Sequence, residues 1–168
     1  MRLRPTHRRE GRTMAGPYSA EPVSSRIVSE ARAWIGTPYV HQASLRGIGT
    51  DCLGLVRGVW RSLVGPEPER MAAYSPDWAE ASGDEQLLCG LKKHLRPIEF
   101  SDLEAGDVLA FRMLERGPVK HLAILTSIPS TLAVATMIHA YSGRSVCETT
   151  IGQAWGRRLV TSFRFPQG

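Results

Sequence analysis

The stretch GIGTDCLGLVRGVW, residues 47–60, decides how this chain is read. Its glycines allow a tight turn, and either Thr50 or Asp51 can cap a helix. Beyond them the residues are apolar at helical spacing. Leu53, Val56, Trp60, Leu63 and Val64 form one stripe, with Leu55 and Val59 beside it. Gly65-Pro66 ends the run. Cys52 therefore falls at N1 or N2 of an amphipathic helix, and two readings of it are open: it packs as a small hydrophobe, or it reacts. A helix start offers unpaired N–H groups and partial positive charge, which favour thiolate and predict a pKa below the free value of about 8.5. The same N–H groups suit the oxyanion of an attacked carbonyl.

Working outward, Ile27, Val28, Ala31, Trp34 and Ile35 predict an earlier helix, capped by Ser24 or Ser25 and stopped by Gly36. Residues 37–49 read as a loop, and residues 66–83, rich in Pro, Glu and Ser, as a surface excursion. A third helix is expected from about Asp84 to Leu95, with Leu87, Leu88, Leu91 and Leu95 inward. After Pro97 the texture changes to short β-prone runs at 107–113, 121–127, 132–142, 144–151 and 158–165. Short turns between them suit antiparallel neighbours. Helices first and strands afterwards predict an α+β domain, with helices packed on an antiparallel sheet of about five or six strands.

A nucleophilic thiol needs a base. Of the five histidines, His7 lies in the N-terminal tail and His94 near a helix end, where a cation suits the dipole. His121 and His139 sit in two apolar strands. By alternation His121 shares a face with Ala123 and Leu125, and His139 with Met137 and Tyr141. Small residues beside His121 leave room for a helix N-terminus on that face. If the strands pair, one imidazole can face the thiol while the other orients it. His41 reads as substrate-side or merely solvated, and Cys89 and Cys147 as packing residues. No zinc-ligand spacing, phosphate-binding loop or dinucleotide fingerprint is present, so no metal or cofactor is implied.

The net charge of +5 is unevenly placed. Residues 1–12 carry five arginines against Glu10, a balance of +4 that leaves +1 for the rest. Residues 1–23 read as a basic, disordered tail and linker, and residues 24–168 as one domain. The tail resembles a signal-peptide start in charge, but no apolar segment follows it, and Met14 can serve as the start. No apolar run reaches the roughly 18 to 20 residues that span a bilayer. Three unpatterned cysteines fit synthesis in a reducing compartment.

Four segments together resemble the NlpC-type cell-wall cysteine peptidases. IGTPY (35–39) looks like the family's upstream loop, and TDCLGLV (50–56) like its Asp-Cys-Ser-Gly-Leu-Val nucleophile motif. LEAGDVLAF (103–111) resembles its turn into the sheet, and HLAIL (121–125) with IHA (138–140) its two histidine strands. The resemblance implies a papain-like α+β fold with Cys52 as nucleophile, His121 as general base and His139 orienting it. It implies that Tyr39 assists with substrate or oxyanion, and that Asp51 is structural. The activity implied is hydrolysis of a D-γ-glutamyl–diamino acid bond in peptidoglycan stem peptides, without cofactor or metal, from a resting thiolate–imidazolium pair. Leu53 stands where the family usually has Ser, which bears on the pocket's polarity. HQASLRG (41–47) with DCLGLVRGVW (51–60) is similar to a subgroup found with phage tails and gene-transfer particles. Such a protein is expected to be made in the cytosol, joined to tail proteins and carried to the wall. The alternatives are an N-acetylmuramoyl-alanine amidase and a non-catalytic tail component of the same fold.

Overall fold

The computed structural model describes residues 21–69 and 85–166. Residues 1–20 of the expected tail and linker (1–23) and most of the expected excursion over 66–83 lie outside the described residues.

The first helix, α1 (Val23–Arg32), begins after Pro22. The Pro22 carbonyl accepts the Arg26 N–H at 3.2 Å, so Ser24 and Ser25 lie inside the helix rather than capping it. Its buried residues are Ile27, Val28 and Ala31. The chain then turns through Gly36, at φ +87°, which leaves Trp34 buried but Ile35 outward, against expectation. A small antiparallel hairpin, β1 (Ser44–Leu45) and β2 (Gly49–Thr50), occupies the expected loop.

Helix α2 (Cys52–Leu63) follows directly, capped by Asp51, whose carboxylate accepts the Gly54 N–H at 2.7 Å. Its deepest residues are Leu55 and Val59, both fully buried, so the inward face is rotated from the expected stripe. Trp60, Leu63 and Val64 pack at its margin. Two glycines let this helix lie close to its neighbours. A Cβ on Gly58 would sit 2.0 Å from the Trp34 ring, and one on Gly54 1.9 Å from the Ala43 carbonyl oxygen. Helix α3 (Gln86–His94) buries Leu87 and Leu91, with Leu95 just beyond it.

Six strands follow: β3 (Arg96–Ile98), β4 (Val108–Arg112), β5 (Val119–Ser127), β6 (Thr136–His139), β7 (Cys147–Thr150) and β8 (Leu159–Arg164). They form one antiparallel sheet in the order β3-β8-β4-β5-β6-β7. Strands β4 to β7 are a meander, and β8 returns to lie beside β4. The expected strand over 132–142 is shorter: residues 132–134 form a 3-10 turn, and only Thr136–His139 pairs. Strand β3 and a short helix α4 (Gly152–Gly156), started by Gly152 at φ +60°, had no strand or helix pattern of their own.

Both faces of the sheet are covered, which accounts for strands that read as continuous apolar runs. One core joins Ile27, Ala31, Leu55, Val59, Leu87 and Leu91 of the helices to Val108, Ala110, Leu122, Ile124, Ile138 and Phe163 of the sheet. The other holds Leu109, Phe111, Ala123, Leu125, Met137 and Ile151, with Trp155 packed on it. At roughly 1.5–3 kcal/mol for each large apolar side chain buried, these two layers dominate the favourable side of folding. The turn into β4 is fixed by buried Asp107, which accepts the Glu104 N–H at 2.8 Å and holds Arg164 of β8 at 2.7 and 2.8 Å.

Candidate active site

The site forms where α2 starts against the middle of the sheet. Residues Pro38–Val40 run alongside Thr50: the Thr50 N–H donates to the Pro38 carbonyl and the Val40 N–H to the Thr50 carbonyl, both at 3.0 Å. This places half-buried Tyr39 beside Cys52. Asp51 is buried and accepts the backbone N–H of Gln42 at 2.7 Å as well as that of Gly54. The expected structural role of Asp51 is therefore observed, and it pins the 37–49 loop to the helix start. His41 lies at the same carboxylate, its Nδ1 3.6 Å from Asp51 Oδ2.

Cys52 is the first residue of α2, and its Sγ lies 3.9 Å from the Lys120 carbonyl oxygen. The Leu122 N–H also points at the sulfur, as do the N–H groups of Leu53 and Cys52 itself. The thiol thus meets the main chain on both sides of His121. The register explains how it gets there. Phe111 pairs with His121 but Arg112 pairs with Val119, so Lys120 is the extra residue of a β-bulge. On the other side, direct β5–β6 pairing extends only to Ile124 opposite Ile138. A bulge beside a strand that has run out of partner leaves room for the helix end.

His121 and His139, both buried, are joined directly: His121 Nε2 lies 2.9 Å from His139 Nδ1. Thr149 Oγ1 lies 3.4 Å from His139 Nε2. The His121 ring stacks on Trp155, with centroids 4.9 Å apart, and tilts against Phe111 at 5.9 Å. Tyr141, beyond the end of β6, meets His121 edge-on at 5.8 Å. The structure therefore joins two members of the expected trio through their side chains and sets the third against the intervening main chain.

Three expectations meet the geometry here. The face of β5 carrying Ala123 was expected to receive the helix; α2 packs instead against Leu122 and Ile124, and Ala123 faces the other core. Leu53, which bears on the pocket's polarity, has its side chain in the helix-side core, where the helical period sends it. The resting thiolate–imidazolium pair that the resemblance implies is opposed here by burial, which disfavours charge on both groups. Burial, then the Asp51 charge, push the Cys52 thiol up to about 12, and the three N–H groups pulling the other way do not offset them. Burial, then neighbouring His139, push His121 down to about 3. Burial, then Arg144, push His139 down to about 4. Tyr39 is raised as well, by burial and then by Cys52 and Asp51.

Trp155 is the site residue that sequence reasoning missed. It sits in a five-residue helix too short to carry a periodic pattern, and only its aromatic bulk after the last strand turn marks it. Of the two other cysteines, Cys89 is exposed on α3, so it is not the packing residue expected. Cys147 is half-buried and pairs in register with His139 across β6 and β7.

The fold is an α+β domain with a cysteine at a helix start and a histidine pair on the adjoining strands. The chain belongs to the NlpC/P60 family, whose sequence profile matches residues 36–164. The fold is shared with solved members of that family. One NlpC/P60 protein from Bacillus cereus has 18% identity over 86% of this chain and 40% of its own, with a TM-score of 0.60. A lipoprotein-like member from Staphylococcus aureus has 18% identity over 93% of this chain and 45% of its own, at 0.58. The NlpC/p60 domain of the peptidoglycan hydrolase SagA has 24% identity over 84% of this chain and 98% of its own, at 0.54. The chain thus spans less than half of the first two and nearly all of the third. No curated protein matches the chain significantly.

Proposed function

We propose that this protein is a cysteine peptidase that cleaves an amide bond in peptidoglycan stem peptides, of the D-γ-glutamyl–diamino acid type. The observation that carries this is the site itself: a helix-start thiol against the backbone on both sides of a histidine whose ring is hydrogen-bonded to a second histidine. Membership of a family whose solved relatives include peptidoglycan hydrolases supports the substrate class.

In this mechanism the Cys52 sulfur attacks the scissile carbonyl carbon, and the thiol proton passes to His121, the histidine whose chain neighbours Lys120 and Leu122 flank the sulfur. Nε2 of that ring is held by His139, so the orientation of the base is set before substrate arrives. The carbonyl oxygen takes the developing charge beside the N–H groups of Cys52 and Leu53, with Tyr39 at the rim. The tetrahedral intermediate collapses as His121 returns the proton to the leaving amine. Water, deprotonated by His121, then attacks the thioester and restores the thiol. Burial, which disfavours charge on both groups, supports a proton transfer coupled to the arrival of the carbonyl rather than one preceding it.

The resemblance of HQASLRG (41–47) and DCLGLVRGVW (51–60) to the tail-associated subgroup is the ground for a particle-borne enzyme, made in the cytosol, assembled with tail proteins and acting on the wall in the periplasm. An amidase from Bacteroides uniformis shares the fold at 12% identity over 86% of this chain and 99% of its own, with a TM-score of 0.53, so the bond cleaved must be tested directly. Digestion of diaminopimelate-type and lysine-type peptidoglycan, with mass analysis of the fragments, does so. New D-glutamyl carboxyl ends with intact muramoyl–alanine bonds are expected, and free lactyl ends would make the enzyme an amidase. Cys52→Ala is expected to abolish cleavage; wild-type rates in that variant would overturn the mechanism. A wild-type protein inactive on both substrates would leave the non-catalytic tail component.

A further inference from the structure

Among the described residues the His121 imidazole is hydrogen-bonded at Nε2 to His139, and a bond at one end leaves a ring free to tilt. The restraint on its plane comes from elsewhere. Trp155 stacks on it at 4.9 Å with 29° between planes, and the same indole touches three further rings. It meets His139 edge-on at 5.1 Å, Phe111 at 5.3 Å and Tyr141 at 5.7 Å. The Arg158 guanidinium lies 5.9 Å from its ring centre. Trp155 is held from below as well, packed on the core of Leu109, Phe111, Met137 and Ile151. An indole clamped on several sides is a rigid platform, whereas a lone stacked residue would move with the ring it touches.

We propose that Trp155 is a positioning residue for the reaction: by stacking on His121 it fixes the plane of the base, keeping Nε2 on His139 and the ring aligned for the thiol. The inference rests on the catalytic reading of Cys52 and His121. It adds that the short α4 helix, which contributes no reacting group, sets the geometry of proton transfer. Trp155 also covers the imidazole, so its removal admits water and relieves the burial that keeps His121 neutral.

Two readouts on the full-length protein test this. The first is the titration of the His121 ring followed by nuclear magnetic resonance, which needs no substrate. In Trp155→Ala the midpoint is expected to rise towards the ordinary histidine value, and in Trp155→Phe to stay close to wild type. The second is steady-state cleavage of soluble stem peptide. Trp155→Ala is expected to lower kcat on the order of 10- to 100-fold with KM little changed, as misalignment of a base does. Trp155→Phe should restore most of it. If Trp155→Ala does not fold, Trp155→Leu against Trp155→Phe decides, because both fill the space and only one offers a ring face. Equal kcat and equal His121 titration in Leu and Phe variants would overturn the proposal. So would an unchanged titration and rate in a folded Trp155→Ala. A wild-type protein that cleaves nothing would defeat the catalytic reading instead, and with it the role in proton transfer, while the titration still reports whether Trp155 holds the ring.

Discussion

At the scale of the residue, Cys52 shows two opposing effects of one position. The helix start supplies N–H donors that favour thiolate, while the partial burial of the residue against the Lys120 main chain disfavours it. Burial is the larger effect and pushes the thiol pKa up. The consequence is measurable by alkylation. At pH 8, iodoacetamide is expected to modify exposed Cys89 faster than Cys52, on the order of tenfold or more, as read by peptide mass mapping. Labelling of Cys52 should climb as the pH rises past 9. Preferential labelling of Cys52 at pH 7 would show instead that the helix donors prevail. Leu53 shows the same principle from its own position. Its departure from the family pattern is absorbed by packing, because its side chain turns into the core.

At the scale of the element, α2 is placed by what it lacks. Gly54 and Gly58, one turn apart, let the Ala43 carbonyl and the Trp34 ring approach the helix backbone. Gly58→Ala separates two opposing expectations. Helix propensity alone predicts a gain of about 1 kcal/mol, whereas a methyl 2.0 Å from the Trp34 ring predicts overpacking that costs about 1–3 kcal/mol. Urea unfolding is expected to show the loss, and the loss should shrink in a Trp34→Leu background; a more stable Gly58→Ala would refute the contact. Such a contact is not visible in sequence, where both glycines read only as weak points in a helix. What was legible follows from periodicity and local chemistry: the Asp51 cap, α2 and α3, strands β4, β5 and β8, and the pairing of His121 with His139. What was not legible depends on partners distant in the chain. The edge strand β3 exists because β8 comes back to it, and the face chosen by α2 depends on a bulge that has no sequence pattern. The pKa of Cys52 follows burial, which spacing alone does not reveal.

At the scale of the whole molecule, the two buried histidines tie folding to pH. Both have folded-state pKa values below the unfolded value of about 6.5. As pH falls below that value the unfolded chain takes up protons that the folded one refuses, so stability present above pH 6.5 is lost on descent towards about 4 for His139 and 3 for His121. Urea unfolding at pH 7 and pH 5 is expected to differ by about 2–4 kcal/mol, roughly 2 for each histidine. A variant carrying His121→Gln and His139→Gln should flatten the dependence; an equally steep loss there would place its origin elsewhere. The sheet's outer rows matter at this scale too. One is β3, three residues long with Pro97 at its centre and Arg96 exposed; the other is the four-residue β7, whose Glu148 is held by Arg32 of α1 at 2.8 Å. Proline offers no N–H to an incoming chain, and rows this short give it few groups to bond. Neither border is a good template for adding a foreign strand, so a molecule with a sheet this apolar on both faces is protected at its margins against growing into aggregates, even where many copies are crowded together.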